Sequence, residues 1–184
     1  VDAERLTRQW LNEVVIGLGL CPFAAKPTME QRVRIQVCDC DNEFDLLHAL
    51  HNEMDLLDQQ TPEQLETTLL VLPNMLAEFD DFNQFLDQAD ALLTEFGWEG
   101  TYQIASFHPQ YCFADVDAEA AENLTNRSPF PTLHLIREHS LEQVLAHIDQ
   151  PEDIPARNID YMNKLSAEKK TQYFPWLFNA NKSG

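Results

Sequence analysis

Two apolar runs of strand length, separated by a long polar loop, constrain the fold of this chain more than any other feature. They span residues 101–107 and 132–137, and the loop between them is rich in Asp, Glu, Asn and Pro. Short apolar runs bounded by turn-forming residues are typical of β-strands. Two further strands are predicted, at 33–38, where apolar and polar residues alternate, and at 67–72, a nearly continuous apolar run typical of a central strand.

Apolar residues spaced three and four apart predict helices around these strands. The predicted helices span about residues 3–17, 42–57, 80–96, 140–148 and 156–170. Ser140 opens a capping box that should begin the fourth of them. Because strands alternate with helices, we predict a largely parallel or mixed sheet of about four strands. The alternation at 33–38 indicates that at least one edge strand has a solvated face, so we predict an α+β fold with helices packed mainly on one face. A three-layer α/β arrangement is the alternative.

The length of the chain suits one domain with an appended segment. Residues 1–150 are predicted to form a single α+β domain. Residues 151–184 then comprise an acidic, proline-containing linker, a C-terminal helix and an aromatic tail that packs on the domain. The apolar part of the tail, residues 173–178, has a second interpretation as a partner-binding segment, which would recruit another protein or pair two copies as a homodimer.

The chain is strongly acidic: 31 Asp and Glu residues stand against 12 Lys and Arg residues, for a formal net charge of -19. Such a surface repels phosphate groups, so we expect neither nucleic-acid binding nor docking on anionic membranes. The first residues lack the pattern of a signal peptide, and no window reaches transmembrane length. The cysteines are few, and the spacing of Cys38 and Cys40 suits no ordinary disulfide, so a cytoplasmic location is expected.

His108 and Arg127 are the first candidate site residues. His108 ends the third predicted strand and could act as a general acid or base. Basic residues are scarce around Arg127, which lies in a loop stiffened by two prolines. A guanidinium there suits a carboxylate or phosphate, with Asn126 and Ser128 beside it. The alternatives are a histidine that caps the strand end and an arginine in a salt bridge.

The direction of the last two strands decides which candidates meet. If these strands are parallel, His108 and Arg137 share one edge of the sheet. If they are antiparallel, Arg137 lies at the far end and His108 lies near Asn126 and Arg127. His134 lies on the opposite face of its strand from its leucine neighbours, as either a core histidine with one satisfied nitrogen or a ligand-binding residue. Arg137 is either surface decoration or part of the binding site.

Cys21 is the candidate nucleophile among the cysteines. It follows the C-terminus of the first predicted helix, whose negative end should raise the pKa of the thiol, so reactivity requires a cation or a histidine nearby. Cys112 lies between two aromatic residues and is predicted to be packed rather than reactive. We find no phosphate-binding loop, dinucleotide fingerprint, zinc-protease motif or serine elbow, so neither a cofactor nor a metal is predicted.

Short segments of the chain, in order, read GLCPFA at 19–24, LVLP at 70–73, FHPQY at 107–111, NRSPFP at 126–131 and HLIRE at 134–138. Together they resemble the signature of a bacterial family known as domain of unknown function 1415. The resemblance reaches to about residue 140 and implies a small soluble bacterial protein without supplying an activity. The signature residues that coincide with the candidates, or add to them, are Cys21, His108, Tyr111, Asn126, Arg127, His134 and Arg137.

The first functional hypothesis is a small-molecule enzyme or binder whose His/Arg pocket recognises an anionic group. His108 and Cys21 would be its catalytic residues, and the sequence leaves open whether catalysis occurs. Its ligand-binding residues would be Arg127, Asn126, Ser128, Tyr111, His134 and Arg137. The alternative is a non-catalytic protein-interaction module that uses the acidic surface and the aromatic tail. A metal site built from histidines and Cys21 ranks last.

Overall fold

A computed structural model describes residues 2–178 of the chain. The strands are β1 (Val33–Val37), β2 (Thr67–Val71), β3 (Tyr102–Phe107) and β4 (Thr132–Arg137). The helices are α1 (Ala3–Trp10), α2 (Ala25–Met29), α3 (Glu43–Gln59), α4 (Phe79–Glu95), α5 (Glu138–Leu145), α6 (Ile154–Lys164), α7 (Ala167–Tyr173) and α8 (Pro175–Phe178). A π-helical segment, Leu11–Ile16, continues α1, and 3-10 segments lie at Ala121–Asn126 and Pro151–Asp153.

The strands form one mixed sheet in the order β1-β2-β4-β3. β1 is parallel to β2, whereas β4 is antiparallel to both β2 and β3. The carboxyl ends of β1, β2 and β3 therefore lie at one edge of the sheet with the start of β4, where Phe107 pairs with Thr132. Arg137 pairs with Tyr102 at the opposite edge. The four-stranded mixed sheet of an α+β protein is confirmed, and the last two strands are antiparallel.

Helices cover both faces of this sheet. All five residues of β2 are buried, and a strand without a wet face needs cover on both sides. α3 and α4 pack on one face, in a core that includes Leu46, Leu50, Phe82, Phe85, Leu70 and Leu133. The π-helical segment, α6 and the C-terminal residues cover the other face, in a core that includes Val14, Met162, Phe174, Ile35, Leu69 and Val71. This two-sided cover differs from the predicted packing mainly on one face and matches the layering of the alternative.

Helix boundaries show where local patterns gave the wrong start. α5 begins at Glu138, directly after β4, so Ser140 lies inside its first turn and does not cap it. The predicted helix at 156–170 is two helices, because the chain turns at Leu165 and Ser166 caps α7 by accepting a hydrogen bond from the N–H of Lys169. The N-cap of α3 is Asn42, one of the two predicted residues.

The C-terminal residues fold back onto the rest of the chain. Phe174 is fully buried, and its ring lies 5.6 Å from that of Trp176. Asn158 of α6 donates a hydrogen bond from Nδ2 to the carbonyl of Leu20 at 2.7 Å, which ties α6 to the end of the first helical segment. Residues 179–184 of the predicted C-terminal segment lie outside the described residues. Within residues 2–178, no helix is both long and apolar enough to cross a membrane.

Candidate functional site

His108 lies at the carboxyl end of β3 and is fully buried. Its Nδ1 accepts a hydrogen bond from the N–H of Gln110 at 2.9 Å, so the proton is on Nε2, which donates to the carbonyl of Leu76 at 3.0 Å. The ring packs against Phe79 and Phe82, with centroids 5.4 and 5.1 Å away. Burial lowers the pKa of His108. Both ring nitrogens are occupied by backbone groups, which favours the strand-capping interpretation over general acid–base catalysis.

Arg127 stabilises the loop after β3 and does not present a free guanidinium to an anion. Its Nε donates to the carbonyl of Tyr111 at 3.2 Å and its Nη2 to that of Ala118 at 2.6 Å. Burial lowers the pKa of Arg127, and Glu119 opposes this effect. Three acidic residues share the surface depression that Arg127 lines, namely Glu78, Asp80 and Glu119. An incoming anion would meet these carboxylates, so the predicted His/Arg pocket for an anion is not assembled here.

Two further candidates support the same loop. Ser128 is fully buried, and its hydroxyl donates to the carbonyl of Phe130 at 2.6 Å. The ring of Tyr111 packs between those of Phe79 and Phe113, each with its centroid 5.0 Å away. Both side chains therefore stabilise the backbone around β3 and β4.

Arg137 lies at the opposite edge of the sheet from the other candidates. Its Nη2 donates to the carbonyls of Leu57, Gln60 and Leu65 at 2.6, 2.7 and 3.0 Å. The guanidinium lies 5.7 Å from the centre of the Tyr102 ring. A cation that bonds the last carbonyls of a helix stabilises its C-terminus, here that of α3. The geometry gives Arg137 a structural role, at the opposite end of β3 from His108.

The structure brings Cys21 and His134 together instead. Both line a small apolar cavity of about 50 Å³ between the first helical segment and the sheet, which we call the His134 cavity. Trp10, Phe23, Leu69 and Phe107 are among the residues that enclose it. Residues that are far apart in the sequence thus place a thiol and an imidazole on the wall of one small apolar cavity.

Thr67 fixes the tautomer of His134. The Thr67 hydroxyl donates to the carbonyl of Leu135 at 2.5 Å, so its oxygen must accept from Nε2 of His134, 2.8 Å away. Nδ1 is therefore unprotonated, and no hydrogen bond engages it within the described residues. Burial lowers the pKa of His134 to about 4. The ring is thus a neutral base with one occupied and one open nitrogen.

Cys21 is half-buried and follows a turn in which Gly19 adopts a φ of 65°. Burial raises the pKa of the Cys21 thiol, and hydrogen bonds from the N–H groups of Phe23 and Ala24 oppose this effect. The raised pKa agrees with the prediction, but its main cause is burial rather than the end of the preceding helix.

Cys38 and Cys40 form a disulfide with Cα atoms 5.3 Å apart. This is an ordinary span for a disulfide, although the spacing of the two residues in the sequence did not suggest one.

Cys21 also lines a larger, open space of about 530 Å³, which we call the Cys21 cleft. Cys21 and Phe107 belong to the walls of both spaces, so the thiol lies at their boundary. α6 and the 3-10 segment Ala121–Asn126 supply the outer walls. The polar side chains in the cleft are Glu122, Thr125, Asn126 and Asn158, and the apolar ones include Phe113, Val116, Ile154 and Ile159.

Cys21, Asn126 and His134 are predicted from the sequence, whereas Thr67, Glu122 and Asn158 are not. Thr67 belongs to an apolar run whose pattern predicts only a central strand. Asn158 lies in a helix predicted to belong to an appended segment, although Ile154 and Asn158 are one turn apart and share a face. In the described part of the chain, no group of three His, Cys, Asp or Glu side chains could hold a metal ion.

Fold and site together define an α+β protein with a partly buried thiol between an apolar cavity and an open cleft. The chain belongs to the family described as "Protein of unknown function (DUF1415)", whose model matches residues 2–172. The match includes α6 and most of α7, beyond the segments that carried the resemblance. Searches of curated proteins and of solved structures return no match.

Proposed function

We propose that this protein binds a small molecule in the Cys21 cleft. The observation that carries the proposal is the cleft itself, whose volume of about 530 Å³ falls in the range of roughly 300–1,000 Å³ that is usual for small-molecule sites. Its walls are mainly apolar, and a few polar side chains converge on it, which is the usual composition of such sites.

The polar groups of the cleft favour a neutral or cationic ligand over the anion predicted from the sequence. Asn158 uses Nδ2 to bond Leu20, and within residues 2–178 no hydrogen bond engages its Oδ1 or the Glu122 carboxylate. Both groups accept hydrogen bonds, so the polar part of the ligand should be a donor such as an amine, an amide or a hydroxyl. The overall charge of -19 further disfavours an anion.

The alternative of a protein-interaction module has less support. It relied on the acidic surface and on a free aromatic tail. Phe174 is fully buried in the core that faces the first helical segment, and the tail residues Tyr173 and Trp176 pack against the same core. A segment that fills the protein's own core is not available to a partner.

A ligand screen with two matched variants tests the proposal. Neutral and cationic aromatic fragments would be screened by ligand-observed NMR against the wild type, Ile159→Trp and Ala156→Trp. Ile159 lines the cleft, so an indole there should fill it and abolish binding. Ala156 is exposed on the same helix, so the same indole there should leave binding unchanged. A thermal melt of each variant confirms that it is folded.

The proposal predicts fragments that bind the wild type and Ala156→Trp but not Ile159→Trp. A saturating fragment should also raise the melting temperature, since a ligand at a hundred times its Kd stabilises the folded state by about 2.7 kcal/mol. Fragments that bind a folded Ile159→Trp as well as the wild type would place the site elsewhere. A screen without a single binder would refute the proposal.

A further inference from the structure

The pairing of Cys21 with His134 has no structural necessity. An apolar cavity needs neither a thiol nor a histidine, and most of the side chains that enclose the His134 cavity are hydrocarbon. A nucleophile, a base within the same space and a third group that orients the base are the parts of an activated-nucleophile site. Here Thr67 is the orienting group, because its hydroxyl oxygen accepts the hydrogen bond from Nε2. Nδ1 therefore carries no proton and can accept one.

Resting on the small-molecule cleft proposed above, we infer that Cys21 is a catalytic nucleophile and His134 its general base, in acyl transfer from a short-chain acyl ester or thioester. The acyl group would occupy the His134 cavity, and the alcohol or thiol portion would occupy the Cys21 cleft. The carbonyl carbon then lies at the boundary of the two spaces, where Cys21 belongs to both walls.

The steps balance without an oxidant or a metal. The Cys21 thiol gives its proton to Nδ1 of His134 through one water in the shared cavity, while Sγ forms a bond to the acyl carbonyl carbon. The bond from that carbon to the leaving oxygen or sulfur then breaks, and the leaving group takes the proton from His134. Water next attacks the thioester with His134 again accepting a proton, which releases the carboxylic acid and restores the thiol.

The volume of the His134 cavity limits the length of the acyl chain that it can bind. About 50 Å³ is a third of the roughly 150 Å³ of a cavity that admits benzene. Two or three carbon atoms therefore fill it, which selects acetyl and propionyl groups over longer chains. The backbone N–H groups of Phe23 and Ala24 lower the pKa of the Cys21 thiol against the effect of burial, and so favour its thiolate form.

The charge states of the pair determine the mechanism. The thiol pKa is raised and the imidazole pKa lowered, so at neutral pH the pair is a thiol beside a neutral base rather than an ion pair. Among the described residues that enclose the cavity, these two titrate; Glu122 lies on the cleft side of Cys21. Because the base is fully available above its pKa, catalysis by His134 should be nearly independent of pH between 6 and 8.

The test uses p-nitrophenyl acetate, with stopped-flow release of nitrophenolate and peptide mapping by mass spectrometry. The variants are Cys21→Ala, His134→Gln and, as the matched control, Cys112→Ala. Cys112 is the other free cysteine in the described residues. Glutamine retains a donor for Thr67 Oγ1 but lacks Nδ1, so it removes the base while keeping the hydrogen bond.

In samples quenched with acid during the burst, before water hydrolyses the thioester, we expect one acetyl group on Cys21 in the wild type and in Cys112→Ala, and none at this position in Cys21→Ala. In His134→Gln the acetylation rate at pH 7 should fall by about 10²–10⁴-fold. Its rate should also rise about tenfold per pH unit between 6 and 8, because it depends on the small thiolate population, whereas the wild-type rate stays nearly flat. A p-nitrophenyl octanoate that acylates Cys21 as fast as the acetate would refute the assignment of the acyl group to the cavity.

The outcomes separate this inference from the binding proposal. If the fragments bind the cleft of the wild type and of Cys21→Ala but Cys21 is never acetylated, the cleft stands and the nucleophile is refuted. If the acetylation rate of the wild type rises with pH as steeply as that of His134→Gln, His134 is not the general base. If no fragment binds and no acetyl group forms, both proposals fail.

Discussion

Replacing His108 by alanine should destabilise the protein severely, because the buried ring connects two backbone segments, its own and the one that carries Leu76. The variant leaves the N–H of Gln110 and the carbonyl of Leu76 without partners. A buried group that loses its partner costs about 1–3 kcal/mol, and these two groups are partly buried, so each belongs at the lower end of that range. The void between Phe79 and Phe82 adds to this loss, so we expect a decrease of about 3–5 kcal/mol in the free energy of unfolding.

The assay is thermal unfolding followed by circular dichroism, with His139→Ala as the control. For a chain of this size a loss of 1 kcal/mol lowers the melting temperature by about 2–4 °C, so His108→Ala should melt roughly 6–20 °C below the wild type. His139 is exposed, so its replacement should change stability by less than about 0.5 kcal/mol. If His108→Ala melts at or above the wild-type temperature, the ring does not hold the fold, and a functional role returns to His108.

Three further predictions concern other buried side chains. Arg137→Ala should lower the free energy of unfolding in urea by about 2–4 kcal/mol, because three carbonyls lose a charged donor, and Arg137→Lys should recover only part of this. The folded-state pKa of His134 is depressed from 6.5 to about 4, so only the unfolded chain gains this proton as the pH falls through that window. Stability should therefore decrease by about 3 kcal/mol between pH 6.5 and 4, and a wild-type minus His134→Gln difference that is flat with pH would contradict this. Phe174→Ala should cost about 3–5 kcal/mol by calorimetry if the tail is part of the core, whereas an unchanged melt would favour a free tail.

Local patterns in the sequence located most of the secondary structure. The limits of β4 agree with the predicted limits, and Asn42 caps α3 as one of two predicted residues. These features depend on neighbours within a few positions, which the sequence displays directly. The layering depends on which face of the sheet each helix covers. The alternation of apolar and polar residues along a strand does not show which helix covers which face. The nearly continuous apolar run at 67–72 was a local sign of cover on both faces, and all five residues of β2 are indeed buried.

The candidate site was predicted in its parts and misassembled as a whole. His108 and Arg127 were placed in one pocket because both occur in polar segments near the same strand end. In the structure, backbone carbonyls and amides occupy their polar atoms, and long polar side chains often serve the backbone in this way. Cys21 and His134 line one cavity because the first helical segment packs on the face of the sheet that carries Leu69 and His134. That packing arises from contacts between residues far apart in the sequence, so residue spacing does not predict it.

The order of strands in the sheet has a consequence for synthesis. β4 is the last strand made, yet it lies between β2 and β3 and is the partner that β3 has in the sheet. A growing chain can pair β1 with β2 early, but β3 must wait unpaired until the ribosome has added about 30 more residues, or about 1.5–6 s at roughly 5–20 residues per second. During that interval the nascent chain exposes an apolar strand and the open edge of β2. Slow codons or a pause in this interval should therefore favour aggregation more than a pause anywhere after Arg137.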